Sequence, residues 1–195
     1  MKPVRFGTLT AMILVAVVAR ILPHPPNFSP IAAIALFGGA TFASKRLALV
    51  TTFGVLLLSD LLLELTIRGG LQVGWLGSPL SHGLHSGWWV VYACFALTVG
   101  LGFLLRDRRS PINVATAALS SSVLFFVITN LVFWYKGGFY ALDFSGLVAS
   151  YVAAIPFFGW SLAGDAVFVT ALFGTLAFAE SRWPAVRAPR PVLAV

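Results

Sequence analysis

The stretch "RILPHPPNFSPIAAIALFGGA", residues 20–40, places four prolines, a histidine and an asparagine between two apolar runs. Proline fixes φ and has no backbone N–H, so a helix does not continue easily through such a segment. The octapeptide "PHPPNFSP", residues 23–30, therefore predicts a rigid turn between a first and a second helix. Ser29 followed by Pro30 is typical of a helix N-terminus, and we expect Ser29 or Asn27 to cap the second helix.

The composition around this turn is that of an integral membrane protein. The 195 residues are 59% hydrophobic and only 10% charged, whereas soluble domains carry about 25% charged residues. The apolar runs are continuous and lack the alternation of a membrane β-barrel, which predicts an all-α bundle. The net charge of +7 comes without a basic helix face or a stacking motif, so we expect no nucleic-acid partner.

Six transmembrane helices are predicted, because a span needs about 20 apolar residues. The second segment is the shortest, and we expect neighbouring helices to shield it. The last region is too long for one span and contains Pro156, so we expect it to be broken near that residue, with one long kinked helix as the alternative. The predicted spans are 6–22, 30–43, 47–65, 87–105, 113–134 and 145–179, the last divided into 145–157 and 159–179.

The basic residues predict the orientation. With six spans, ten of the 13 lysines and arginines lie on the side of both termini, and positive charge accumulates in cytoplasmic segments. We therefore expect a multi-pass membrane protein with both termini in the cytoplasm. Residues 1–183 form a single transmembrane domain in this interpretation, and 184–195 a short basic, proline-rich cytoplasmic tail. Lys2, Arg5 and the apolar run before residue 20 also resemble a removable signal peptide, but the octapeptide fits a loop between two retained spans better.

Polar groups inside the predicted spans concentrate on the outer side. Ionisable groups are costly in a bilayer and face a cavity, a partner or one another. Five such residues fall in the outer halves of their spans, and the octapeptide and the fifth span add three more, so we expect an outward-facing site that captures a small molecule. An Arg–Asp pair that serves only the structure is the alternative for the charged members. The candidate substrate-binding residues are Arg20, His24, Asn27, Asp60, Tyr92, Asn130, Trp134 and Asp165.

Catalytic and metal-binding patterns are weak in this chain. There is no phosphate-binding loop and no recognisable nucleophile–base set, so we expect neither an enzyme nor a cofactor. His82 and His85 have HxxH spacing without further ligands, and we predict no metal site. Cys94 is more typical of a small packed residue than of a thiolate ligand.

Small residues recur every four positions in the second span, at Ala35, Gly39 and Ala43. Such a stripe lets two helices approach closely. Packing inside the same bundle is the interpretation we favour. The alternative is a docking surface, which would make the chain an accessory subunit of a larger membrane complex.

Four stretches carry a family resemblance: "PHPPNFSP", "LLLSDLLL", "FFVITNLVFW" and "AAIPFFGWSLAGDAVF". Together they resemble a family of small bacterial membrane proteins assigned to transport and of unknown function. That family is similar to the S components of energy-coupling-factor vitamin transporters. The resemblance implies a bacterial inner-membrane protein with six spans, a vitamin-like substrate held under outer loops, and a membrane scaffold with ATPase subunits as partner. The first span departs from the alanine pattern of S components, since Ala11, Ala16 and Ala19 are five and three residues apart.

Overall fold

The chain forms six helices, as seen in a computed structural model that describes residues 2–22, 24–68 and 87–188, without the side chains of Ile21 and of residues 63–68. The described part contains no strand, which confirms the all-α prediction. In chain order the helices are α1 Pro3–Ile21, α2 Ile31–Thr41, α3 Lys45–Arg68, α4 Trp88–Leu104, α5 Pro111–Gly137 and α6 Phe144–Arg182.

Helix α2 lies at the centre of the molecule. All its residues except Ala32 are buried, and it contacts each of the other five helices. At about 1.5 Å per residue its 11 residues extend only about 16 Å. The expectation that neighbouring helices shield a short second helix is confirmed.

Glycines bring α2 and α4 into close contact. A Cβ atom built on Gly39 would collide with the carbonyl oxygen of Val99, and one on Gly102 would collide with that of Leu36. Ala35 is fully buried, while Ala43 lies beyond the end of α2 and is exposed. Ala35 and Gly39 are therefore packed within the chain, as the favoured interpretation predicted, whereas Ala43 is not.

Helix α6 continues through Pro156, so the predicted break near that residue was wrong and the alternative of one long helix applies. Proline removes a single helical hydrogen bond, whereas a break would leave several backbone groups without partners among apolar side chains. The 39 residues of α6 extend about 58 Å at 1.5 Å per residue.

Among the described residues, three helices are long and apolar enough to cross a membrane: Pro3–Arg20, Pro111–Gly137 and Phe144–Arg182. Helices α2 and α4 are apolar but shorter. In the most apolar window of α5 only 17% of the residues are buried, so most of its apolar surface faces outward.

An ion-pair cluster joins the start of α1 to the end of α6. Arg5 is 2% exposed, and its Nη1 lies 2.7 Å from Glu180 Oε1 and also donates to the carbonyl oxygen of Val186. Arg109, between α4 and α5, approaches the same carboxylate at 3.4 Å. We call this side of the bundle the basic end. Val186 is buried, so the beginning of the predicted tail packs against the helices.

Candidate functional site

The opposite side of the bundle, which we call the cavity end, is formed where the 22–30 loop connects α1 to α2. Asn27 has φ +66°, and the Phe28 N–H donates to the carbonyl oxygen of Pro25 at 3.1 Å, so the loop turns tightly. The prediction that Ser29 or Asn27 caps α2 was wrong. Pro30 is the N-cap residue, without a side-chain cap, because its own αR backbone already belongs to the first turn.

The loop lies directly against α6. A Cβ atom on Gly164 would stand 3.0 Å from the Ser29 nitrogen and 3.2 Å from the Phe28 Cα. Only a residue without a side chain lets the loop backbone come this near to the helix. The contact places Ser29 beside the helical turn that carries Asp165. The Ser29 hydroxyl is buried and has no hydrogen-bond partner among the described residues.

Arg20, at the end of α1, is engaged by α3. Its Nη1 lies 2.5 Å from Asp60 Oδ1 and also donates to the Ser59 hydroxyl. The Tyr92 hydroxyl donates to Asp60 Oδ2 at 2.6 Å. Both carboxylate oxygens of Asp60, which is 5% exposed, therefore have partners, and its charge is balanced by Arg20. For Asp60 the structural ion pair foreseen as an alternative describes the geometry.

The His24 ring is held by the backbone. Its Nδ1 lies 2.9 Å from the Pro25 carbonyl oxygen, and its Nε2 lies 3.1 Å from that of Arg20. Carbonyl oxygens only accept, so each contact is a hydrogen bond when that ring nitrogen carries a proton. The ring fastens the start of the loop onto the last turn of α1.

Asp165 differs from Asp60 in its partners. It is 6% exposed, and its Oδ2 lies 2.5 Å from the Ser122 hydroxyl. That hydroxyl also lies 3.0 Å from the Ala118 carbonyl oxygen, and its single proton can serve only one acceptor at a time. Asp165 forms no ion pair with any residue that the structure describes.

A cavity of about 1010 Å³ opens between the loop and helices α4, α5 and α6. Pockets for small molecules commonly measure about 300–1,000 Å³ and combine an apolar wall with a few polar groups. The wall of this cavity includes Arg20, His24, Asn27, Ser29, Trp89, Phe95, Ser122, Phe125, Phe126, Asn130, Phe133, Lys136, Phe139, Ala154, Phe157, Phe158, Ser161 and Asp165.

Phenylalanines supply much of the apolar wall. The Phe126 and Phe158 ring centroids are 4.5 Å apart, and the Phe95 and Phe125 rings stack at 5.5 Å. Three further rings, Phe133, Phe139 and Phe157, line the same space. Aromatic rings offer large, rigid surfaces against which a flat molecule can pack.

Comparison with known proteins identifies a family for this chain, but the function of that family is unknown. The profile of a family of unknown function matches residues 2–186, nearly the whole chain. The chain belongs to that family, DUF6580. No curated protein and no solved structure matches it.

Five of the eight predicted binding residues line the cavity of this DUF6580 member: Arg20, His24, Asn27, Asn130 and Asp165. Asp60 and Tyr92 are not among the lining residues and reach the cavity only through Arg20. Binding by any of the eight stays a prediction.

Trp134 does not line the cavity. Its Nε1 donates to the Ala141 carbonyl oxygen at 2.8 Å, so the indole closes the connection between α5 and α6. This hydrogen bond orients the indole toward the loop carbonyl, and the expected role of Trp134 as an aromatic wall stays a prediction.

The sequence interpretation missed several lining residues. Serine hydroxyls in helices commonly donate to a backbone carbonyl oxygen of the same helix, and no spacing pattern distinguishes Ser122 from them. Lys136 entered the sequence interpretation only as one of the basic residues that predict orientation. In the structure its Nζ lies 5.4 Å from the centroid of the Trp89 ring. Cys94 is buried and free, in agreement with a packing role. His82 and His85 lie outside the described residues.

Proposed function

We propose that this protein captures a small molecule in the cavity, as a membrane transport protein or as the substrate-binding subunit of one. The observation that carries the proposal is an aromatic cavity of about 1010 Å³ whose wall holds a buried carboxylate, Asp165, without an ion-pair partner among the described residues. A buried carboxyl group without a compensating partner is unfavourable for folding, which favours a role in binding. The unpartnered hydroxyl of Ser29 is a second polar group available to a ligand.

The proposal places the six helices in a bacterial inner membrane. Three of them have the length and apolarity of spans, and the largely unburied apolar surface of α5 is suited to lipid contact. Helices α2 and α4 would cross together with their flanking segments, α2 being enclosed by protein. The N-terminus of α1 and the C-terminal end of α6 meet at the basic end, so these two helix ends lie on one side. Under the positive-inside tendency that side is the cytoplasm, and the cavity opens outward.

We propose further that the protein works as an S component does, with its substrate site under outer loops. In that case a membrane scaffold with ATPase subunits would supply the energy, because the sequence has no phosphate-binding loop of its own. The alternative, an accessory subunit of a larger complex, is less well supported. The stripe of small residues that would form its docking surface is occupied by contacts of Gly39 with α4.

Native mass spectrometry of the protein, purified in mild detergent, tests the proposal. We expect a bound small molecule in the wild-type chain. Ala154→Trp should abolish it, since Ala154 lines the cavity and an indole would fill part of the space. Ala153→Trp is the matched control, because the neighbouring Ala153 is exposed and is not among the lining residues.

Equal occupancy in the two variants would mean that the molecule binds elsewhere. A wild-type protein that carries nothing, and that binds nothing from a bacterial metabolite extract, would leave the cavity without this role.

A further inference from the structure

We propose that the molecule bound in the cavity carries a positively charged nitrogen that pairs with Asp165, next to a flat apolar body that packs on the phenylalanines. The inference rests on the proposed function and specifies its substrate class. It depends on how charges and hydrogen-bond acceptors are distributed over the cavity wall.

Asp165 is a buried carboxylate that has no counter-charge among the described residues. Of its two oxygens, Oδ2 contacts the Ser122 hydroxyl, and Oδ1 has no hydrogen-bond partner among the described residues. A carboxylate can accept about four hydrogen bonds, so most of its capacity is unused. The residue as a whole is 6% exposed, and it lines the cavity.

The basic residues of the cavity wall do not fill this need. Arg20 is paired with Asp60, and both ring nitrogens of His24 face backbone carbonyl oxygens. Lys136 is exposed and lies over the Trp89 ring. None of these three side chains has a nitrogen within 4.0 Å of the Asp165 carboxylate, since each ion pair of the described residues involves Asp60 or Glu180.

Other groups nearby can accept from a ligand donor. Asn130 donates one amide N–H to the Phe126 carbonyl oxygen at 2.8 Å, which leaves its Oδ1 as an acceptor beside its second N–H. Ser161 donates to the Phe157 carbonyl oxygen at 3.2 Å. The faces of the aromatic rings also attract cations. A protonated amine or a cationic heterocycle therefore matches the wall, whereas a carboxylate would meet Asp165 unfavourably.

Three indole probes of matched shape test the charge: tryptamine as the cation, indole-3-ethanol as the neutral molecule and indole-3-acetate as the anion. Their affinities for the detergent-purified full chain are measured by isothermal titration calorimetry. We expect tryptamine to bind at least about 10-fold more tightly than indole-3-ethanol, as for a hydrogen bond to a charged group, and indole-3-acetate to bind most weakly.

Variants assign the effect to the carboxylate. In Asp165→Asn the preference for tryptamine over indole-3-ethanol should disappear, while Asp165→Glu should retain part of it. Asp107→Asn is the control, because Asp107 is exposed and lies between α4 and α5, away from the cavity. Thermal unfolding of each variant verifies that it is folded, and a misfolded Asp165→Asn leaves Asp165→Glu and the three wild-type affinities to decide.

Equal affinities of the cation and the alcohol, a preference for indole-3-acetate, or no binding of any probe would each overturn the inference. None of these outcomes decides the proposed function, which is judged by the molecule that the purified protein carries. Persistence of the tryptamine preference in Asp165→Asn would also contradict the assignment.

Discussion

Helix α6 carries one acidic residue at each end of the bundle, and the two differ in their ion-pair partners. Glu180, at the basic end, is bound by Arg5 at 2.7 Å and by Arg109 at 3.4 Å. Asp165, at the cavity end, has a serine as its one hydrogen-bond partner among the described residues. Glu180 is thus neutralised by arginines of the same chain, whereas Asp165 has no counter-charge among the described residues. This difference separates a structural carboxylate from a candidate binding carboxylate on a single helix.

The charge-neutral amide substitutions of these two acids should give the largest contrast. Glu180→Gln leaves Arg5, whose side chain is 3% exposed, without its nearest counter-charge, and breaking a buried pair costs about 3–5 kcal/mol. Asp165→Asn removes a charge that has no counter-charge to strand, so we expect the free energy of unfolding to stay within about 0.5 kcal/mol or to rise. Unfolding in mixed micelles, titrated with SDS, measures both.

Similar losses in the free energy of unfolding in the two variants would contradict this contrast, because Asp165 would then be held by a structural partner. The matched control is Asp107→Asn, which removes an exposed charge and should change the free energy of unfolding by less than about 0.5 kcal/mol.

The close packing of α2 against α4 predicts a second, smaller effect on stability. Gly102→Ala places a methyl group against the Leu36 carbonyl oxygen, so α2 and α4 must separate, at a cost of about 1–3 kcal/mol. Gly100→Ala, two residues earlier on the same helix, meets nothing within 4 Å and should stabilise the helix slightly, since alanine is the better helix former. Equal Tm values for the two variants would contradict the close approach of these helices.

The sequence predicted how far along a helix a residue lies. It did not predict which side of the helix the side chain faces. A rise of about 1.5 Å per residue was enough to bring Asn27, Asn130 and Asp165 to one end of the bundle. Trp134 lies at the same depth as the cavity, yet its side chain serves the α5–α6 connection, whose course depends on tertiary contacts.

Three other features show the same limit. That Asp60 is neutralised while Asp165 is not depends on which helices are neighbours, and this is a property of the packed bundle. Pro156 suggested a break because propensity opposes proline in a helix, but in apolar surroundings the remaining backbone hydrogen bonds outweigh the one lost. The phenylalanines of the cavity wall could not be identified from the sequence, because phenylalanine is common throughout this apolar chain.

The smallest expected effect concerns a third acid of the same region, Asp143, which caps α6. Its Oδ1 accepts from the Gly146 N–H at 2.7 Å and from the Ser145 hydroxyl at 2.8 Å, and these hydrogen bonds lower the pKa of the Asp143 carboxyl. Because the folded pKa lies below the unfolded value of about 3.9, the ionised cap stabilises the helix start above that pH. This contribution is lost as the pH falls through the folded pKa.

Hydrogen exchange at the Gly146 amide reports this cap locally. The protection factor, corrected for the intrinsic pH dependence of exchange, should fall on acidification below about pH 4 in the wild-type chain. Asp143→Asn keeps an oxygen acceptor without the charge, so its protection should be modest and independent of pH, and Asp143→Ala should lose it at every pH. A pH-dependent protection in Asp143→Asn would assign the titration to another group. Glu180→Gln should leave this profile unchanged, because its pairs lie at the opposite end of α6, and a coupled change would mean that the two ends do not act independently.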